Sequence, residues 1–523
     1  MRLYRAFATV GGLTMVSRLL GFARDILIAA ALGTGLVADA FFVAFRFPNL
    51  FRRLFGEGAF NAAFVPLFAR KLEADGEDDA QRFAEEALSG LSFVLVLFSV
   101  AAMLAMPWLM LVLAPGFAQT PDKYDLAVQL SQIAFPYLLC MSLVALLSGV
   151  LNSYKRFWAA AAAPIVLNIV LISAIVLAIT LGYSNRPEAG FILAAGVAIA
   201  GVAQLAMLWM ALRRTGLHLS FRVPRYTDGM RRLVTLGIPG IISGGVTQIN
   251  IVIGTIIASL QAGAVSYLYF ADRLYQLPLG IVGIAIGVVL LPDLSRQLRA
   301  GDAGAALESQ NRALEFALML TIPSSLALGI AAEPIVSVLF EHGAFKAADT
   351  AATATALQAF ALGLPAFVLI KVFQPAFFAR EDTKTPMWFA TASVVVNVVG
   401  SLALFFVFQS WGWMPHVGIA LATSAAGWMN ALSLWRVLAR NREFVWDQSL
   451  TWSLLYIVLA SVAMGGAILL AMPHLEPLTT ASAALPERIA GLVVLVLGGS
   501  VIYFSILLAT GTFRLQTLLR RGS

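Results

Sequence analysis

The sequence of 523 residues contains a single cysteine, Cys140, and four histidines with no ligand spacing between them. One thiol excludes an intrachain disulfide, and its place in an apolar run argues against a redox or metal role. Charge is scarce too: Asp, Glu, Lys and Arg make up 12% of the chain, against about a quarter in soluble domains. No long polar stretch offers an extramembrane catalytic domain, and no paired acidic metal motif or nucleophile–base constellation is visible, which argues against an enzyme. The basic residues are spread over short loops without an aromatic platform, so a nucleic-acid partner is not expected despite the net charge of +7.

What the chain has in abundance is hydrocarbon. Apolar residues reach 60% and the mean hydropathy is +0.86. Runs such as 87–114 and 489–510 exceed the roughly 20 residues needed to cross about 30 Å of bilayer core. The pattern predicts an all-α polytopic membrane protein with about fourteen spans. The start, MRLYRAFATVGG, leads into a long segment with internal charges and does not read as a cleavable signal peptide. Basic residues alternate between connections. Arg70, Lys71, Lys155, Arg156, the cluster from Arg213 to Arg232, Arg296, Arg299, Arg380 and Lys384 fall on one side, and only Lys123, Arg186, Lys346 and Arg488 on the other. The positive-inside rule then places both termini in the cytoplasm.

The chain also repeats itself. Ala44-Phe45-Arg46 recurs as Ala271-Asp272-Arg273, and VPLFARKL (65–72) as LPDLSRQL (291–298). The spacing from Pro136 to Asn168 matches that from Pro365 to Asn397, and Pro107 to Gly116 matches Pro334 to Gly343. The interval stays between 226 and 229 residues. Six spans per copy means that both copies enter the membrane in the same direction, the parallel-repeat plan. The expected organisation is a six-helix bundle at 1–215, a second at 216–442, and two further helices with a cytoplasmic tail at 443–523. Such bundles are expected to enclose a central cavity. Gly and Pro within spans, among them Gly21, Pro48, Pro136, Pro278 and Pro365, permit bends or close helix packing.

Against this background the charges inside spans stand out. Arg18, Arg24, Asp25, Asp39, Arg46, Arg52, Arg53, Asp272, Arg273 and Lys371 fall within or at the edges of predicted spans. One charge at mid-bilayer costs about 3 kcal/mol or more, unless it faces water or a partner. Asp39, Arg46 and Arg53 are seven apart and share a helix stripe, as do Arg18 and Asp25. Arg52 and Arg53 could instead snorkel to headgroups, and Arg24–Asp25 or Asp272–Arg273 could be structural ion pairs. Taken as a set they point to a positively charged cavity. The planar fork of arginine suits phosphate, so the expected cargo is anionic and phosphorylated.

The stretches TMVSRLLGFARD (14–25), ADAFFVAFRFPNLFRRLFGEGAFNAAFVP (38–66), APGF (114–117), YFADRLYQLPLGIVGIAIGVVLLP (269–292) and REDTKTP (380–386) resemble the MurJ/MviN lipid II flippases. That family lies within the multidrug/oligosaccharidyl-lipid/polysaccharide exporter superfamily. The resemblance covers essentially the whole chain. It implies alternating-access transport of lipid II, the undecaprenyl-pyrophosphate-linked peptidoglycan precursor, across the bacterial inner membrane. It further implies that Arg18, Arg24, Arg52 and Arg273 hold the pyrophosphate and adjacent headgroup, and that Asp39, with Asp25, takes part in gating or ion pairing. Arg46, Arg53 and Lys371 are the secondary candidates. The last two helices would line a groove for the polyprenyl tail. No cofactor or bound metal is expected. The energy source is left between a coupling cation, for which Gln248, Asn250, Asn397 and Asp382 are the polar candidates, and the membrane potential. The implied partners are lipid II, membrane lipids and other cell-wall synthesis proteins. The competing readings are a flippase for another polyprenyl-pyrophosphate-linked saccharide and, with less support, a multidrug exporter.

Overall fold

The computed structural model describes residues 2–51, 60–480 and 483–512. Every regular element among them is helical. The helices, in chain order, are α1 (Arg2–Leu32), α2 (Leu36–Phe51), α3 (Phe60–Ala74), α4 (Glu77–Leu104), α5 (Met106–Leu113), α6 (Pro121–Ala134), α7 (Tyr137–Ser153), α8 (Trp158–Thr180), α9 (Pro187–Arg213), α10 (Asp228–Ser259), α11 (Ala264–Arg299), α12 (Ala303–Ile330), α13 (Ala332–Phe340), α14 (Ala347–Phe378), α15 (Lys384–Ser410), α16 (Pro415–Arg440), α17 (Gln448–Thr479) and α18 (Leu485–Ala509). A short 3-10 turn, Pro115–Gln119, follows α5.

Ten helical segments among the described residues are long and apolar enough to cross a membrane, which makes the chain a multi-pass membrane protein. Their apolar character runs round the whole helix, so the face that does not meet a neighbour is suited to hydrocarbon. In the apolar window of α15 only 22% of residues are buried by the protein itself. Helices that do pack come close. A Cβ on Gly418 of α16 would sit 2.8 Å from a backbone carbon of Leu404 in α15, a backbone approach that only a missing side chain allows. The in-span charges singled out above fall on α1, α2 and α11, apart from Lys371 on α14 and from Arg52 and Arg53, which lie outside the described residues.

The order of elements recurs along the chain. The run from α1 to α9 is matched by that from α10 to α16, with α17 and α18 following. Backbone conformation recurs with it. Residues of positive φ pair at the sequence interval: Gly35 with Gly263, Lys155 with Glu381, and Gly216 with Arg442. Gly216 is matched by Arg442, and Lys155 and Glu381 both carry side chains, so the turn geometry is retained where glycine is not. One difference between the copies falls at a proline that both possess. The span Pro121–Ser153 is broken into α6 and α7 around Pro136, whereas α14 runs continuously past Pro365.

By compactness the chain forms two units. The first contains Met1–Ser266 with Gly343–Phe345, and the second Tyr267–His342 with Lys346–Ser523. In the first, α1 packs on α8, α2 on α6 and α9, and α10 on α3. In the second, α14, α15 and α16 pack together, α12 lies against α14 and α17, and α17 pairs with α18. The division at 266/267 is one of compactness, whereas the repeat begins again at α10. The first helix of the second copy is thus folded into the first compact unit.

Candidate functional site

The charged residues of α1 divide along its length. Arg24 and Asp25 are buried, at 6% and 2% exposure. Arg24 Nε and Nη2 both donate to Asp25 Oδ1, at 3.1 and 2.7 Å. Its Nη1 donates to Asn168 Oδ1 of α8 at 3.0 Å, and Asn168 Nδ2 returns to the Ser17 carbonyl at 2.9 Å. Gly21 faces that amide, and a Cβ there would lie at ordinary contact distance, 3.5 Å from Asn168 Nδ2. One guanidinium therefore binds a carboxylate and a neighbouring helix at once, a task for a planar fork. Arg18, on the stripe that helix counting shares with Asp25, is exposed. The difference is positional. The C-terminal part of α1 is covered by α8, the turn after it and residues 343–345, and the Arg18 turn is not.

Asp39, in the first turn of α2, is fully buried and accepts four hydrogen bonds. Lys123 Nζ of α6 donates at 2.6 Å, the Gly263 N–H at 2.8 Å, and the N–H and hydroxyl of Ser266 at 3.0 and 2.6 Å. Lys123 is itself buried and lies over the Phe117 ring, 4.2 Å from its centroid. Phe117 belongs to the APGF stretch, whose Gly116 N–H donates to Ser259 Oγ at 3.1 Å. A Cβ on Gly116 would fall 2.1 Å from the Ser259 carbonyl oxygen. The Asp39 carboxylate thus ties α2 and α6 to the corner between α10 and α11. Seven residues on, half-buried Arg46 donates through Nη1 to Thr255 of α10 at 2.6 Å, so Asp39 and Arg46 do present one stripe to the same neighbour.

This corner has a counterpart at the sequence interval. Gly343, matching Gly116, would place a Cβ 2.4 Å from the Ala30 carbonyl oxygen at the end of α1, and the Ala344 N–H donates to that oxygen at 2.8 Å. Gly33, at φ 64, has its own virtual Cβ 2.6 Å from the Ala344 carbonyl. Each copy's turn after its short helix therefore seats on the other copy's first helical corner, with a glycine at the point of contact.

In the second unit, half-buried Arg273 of α11 donates through Nη2 to the Tyr269 hydroxyl at 3.2 Å, its guanidinium 4.8 Å from the Tyr269 ring centroid. Asp272 accepts from Gln276. Lys371 of α14 is exposed. Arg52 and Arg53 lie outside the described residues. An apolar cavity of about 200 Å³ opens among α12, α13, α17 and α18, lined by Pro323, Ala327, Met464, Ile468, Leu495 and Tyr503 among others.

Two of the four polar candidates for a cation, Asn397 and Asp382, have partners within the protein. Asn397 Oδ1 accepts from Ser401 and from Thr423 of α16, at 3.2 and 3.1 Å. Asp382 accepts from the backbone N–H groups of Lys384 and Thr385 at 3.1 and 3.0 Å. The Thr385 hydroxyl and these backbone donors hold its carboxyl below the usual carboxylate range, as expected of a helix-start acid. Lys123 is the partner of Asp39 that sequence reading passed over. The signal was present: a buried-helix acid demands a cation, and Lys123 is one of few on its side, six residues from the Phe of APGF.

A family model described as "Lipid II flippase MurJ" matches residues 28–485. The chain is 49% identical over 512 residues to a protein of Rhizobium tropici named "Probable lipid II flippase MurJ", covering 98% of this chain and 95% of that one. It is 47% identical to a protein of the same name from Rhizobium meliloti (strain 1021), covering 99% and 96%. Among solved structures, "Lipid II flippase MurJ, inward closed conformation" superposes with a TM-score of 0.75 at 26% identity, over 95% of this chain and 97% of that one.

Proposed function

Because this chain belongs to the MurJ family of lipid II flippases, we propose that it carries lipid II from the inner to the outer leaflet of the bacterial cytoplasmic membrane by alternating access. It acts as a transporter and makes no covalent change in its cargo. The supporting observation from the structure is the placement of charge. Arg18, Arg24 and Asp25 lie on α1, Asp39 on α2 and Arg273 on α11, so the in-span charge gathers on the opening helices of the two copies. In this reading the chain crosses the membrane fourteen times with both termini in the cytoplasm, as two parallel six-helix bundles and two further helices around a central cavity.

Each group then has a task. Arg18, Arg24, Arg52 and Arg273 neutralise the pyrophosphate, with Arg46, Arg53 and Lys371 extending the basic surface. Asp25 holds the Arg24 fork in place. Asp39 closes one face by gathering Lys123, Gly263 and Ser266, and must release them when that face opens. The polyprenyl tail stays in apolar surroundings, and the cavity beside α17 and α18 offers them. An anion leaving a negative-inside cell moves downhill by about 2.3 kcal/mol per charge per 100 mV. That potential, or a cation accompanying the empty carrier, resets the cycle. Other cell-wall synthesis proteins are the expected partners on either side of the step.

Depletion of the protein in its host, with lipid II scored by leaflet, tests the reading. Retention of lipid II inside with arrested peptidoglycan synthesis is expected, and charge-removing substitutions at Arg18, Arg24, Arg52 or Arg273 should reproduce it while leaving membrane insertion intact. Loss of only another surface glycan would reassign the cargo to a different polyprenyl-pyrophosphate saccharide. Normal export by all four variants would remove the arginines from the site.

A further inference from the structure

Arg488, near the start of α18, is only 3% exposed, and the transport scheme above makes no use of it. All its partners lie on α13 and the two residues that follow. Nη2 donates to the Ser337 carbonyl and, at 3.2 Å, to the Ser337 hydroxyl. Nη1 donates to the Glu341 carbonyl at 3.2 Å and faces His342 Nδ1 at 3.3 Å. Nε has no partner, and no carboxylate lies within ion-pair distance among the described residues. A guanidinium cannot accept, so His342 Nδ1 must, and the other ring nitrogen, Nε2, donates to the Val338 carbonyl at 3.0 Å. What compensates the buried charge is the C-terminal end of α13: the Glu341 carbonyl and the Ser337 carbonyl, which also accepts from the Glu341 N–H, lie where a helix end carries partial negative charge.

This end of α13 has two neighbours that matter. On one side Ser337 Oγ reaches the carbonyl of Thr479, the last residue of α17, at 3.4 Å. There α17 and α18 are held as a close pair, since a Cβ on Gly491 would lie 3.1 Å from the Thr479 side chain. On the other side the chain passes from His342 directly into Gly343–Phe345. That segment seats on α1 through the Ala344–Ala30 hydrogen bond, with Phe345 at 1% exposure.

We propose that Arg488 is a positioning residue that couples the α17–α18 pair, beside the apolar cavity, to the seating of Gly343–Phe345 on α1. Movement of the pair as an apolar tail enters the cavity pulls on Ser337, Glu341 and His342 through one guanidinium, and these three fix where the next residues of the chain can lie. Tail occupancy thereby sets the strength of the α1 dock, and by reciprocity the docked state sets how readily the cavity fills. The cargo assignment rests on the lipid II reading; the mechanical link does not.

The test uses full-length protein in lipid nanodiscs, with Cys140→Ala and Ala344→Cys so that position 344 carries the sole thiol, and a water-soluble maleimide. Lipid II export by the same variants is scored in cells. Arg488→Gln should raise the rate of labelling at 344 by about fivefold or more, the low end of ordinary coupling between sites, and should lower export. Arg488→Lys, which keeps the charge but cannot span Ser337, Glu341 and His342, should fall between. If Arg488→Gln does not fold, His342→Phe removes one acceptor and leaves the charge, and a smaller rise is expected. Unchanged labelling in the folded variants overturns the proposal, as does faster labelling with full export. A parent protein that exports no lipid II tells against the cargo reading alone, because the labelling arm still reports on the latch.

Discussion

Replacing Lys123 by Met probes the Asp39 cluster with little change of shape. An aliphatic chain of similar length remains, and the ammonium that lies 4.2 Å from the Phe117 ring centroid is lost. Both partners of the pair are buried, with side-chain exposures of 7% and 0%, and breaking such a pair costs about 3–5 kcal/mol because one charge is left uncompensated. Asp39 retains three donors, from Gly263 and Ser266, which places the expected loss near the lower end, about 3 kcal/mol. That loss falls on the arrangement in which α2 meets the α10–α11 corner, so the ratio of seated to unseated corner should drop by about a hundredfold. A sole thiol at Leu260→Cys, in the Cys140→Ala background, reads the seating as its rate of reaction with a soluble maleimide. Asp39→Asn should accelerate labelling to a similar degree, and the double variant should add little, giving a coupling energy of about 2–3 kcal/mol. A labelling rate within twofold of the parent, or strictly additive effects, would refute the assignment of Lys123 as the partner that holds this corner.

The two glycine contacts should be intolerant of a methyl group. Gly116→Ala and Gly343→Ala meet backbone atoms at 2.1 and 2.4 Å and should each cost about 1–3 kcal/mol and lose export, whereas Gly254→Ala, with open space around it, should export normally. Arg24→Lys should behave almost as a null in a complementation assay, because one ammonium cannot serve Asp25 and Asn168 in the fork geometry; full complementation would show that charge alone suffices there. Asp382→Ala removes the acceptor at the start of α15 and should lower thermal stability by about 1 kcal/mol at neutral pH. Its carboxyl is held below the ordinary range, so the stabilisation is present above that range and fades as pH falls through the lowered value. Variant and parent should converge in strong acid, and a gap that persists there would mean the cap acts otherwise.

Much of the architecture is legible in the chain because lipid imposes a one-dimensional rule: a long apolar run must be a helix with its own hydrogen bonds satisfied. The repeat interval is equally visible, and the structure carries it down to left-handed turn residues such as Lys155 and Glu381. The pair Arg24–Asp25 was open to an ion-pair reading from adjacency alone, and the two side chains do form one. What the sequence could not state is which distant group completes each cluster. Lys123 sits in a connection that counts only toward a charge tally until α6 folds it under α2, and Asn168 is one amide among many until α8 lies on α1. Helix counting put Arg18 and Asp25 on one stripe, yet burial changes along α1 as its neighbours begin and end. Arg488 looked like one of four stray cations on its side; its burial depends on α13 ending beside it.

The buried Asp39 also bears on how the chain is made. Its cation follows 84 residues later and its backbone donor at Gly263 follows 224 later. At roughly 5–20 residues per second, the ribosome delivers α2 on the order of ten seconds before Lys123 exists, and longer before the α10–α11 corner. During that interval the Asp39 carboxylate lacks the partners that would offset its cost in lipid. Burial of α2 in its final surroundings is therefore completed only when those later segments arrive, whereas the Arg24–Asp25 pair of α1 is available as soon as that helix is made.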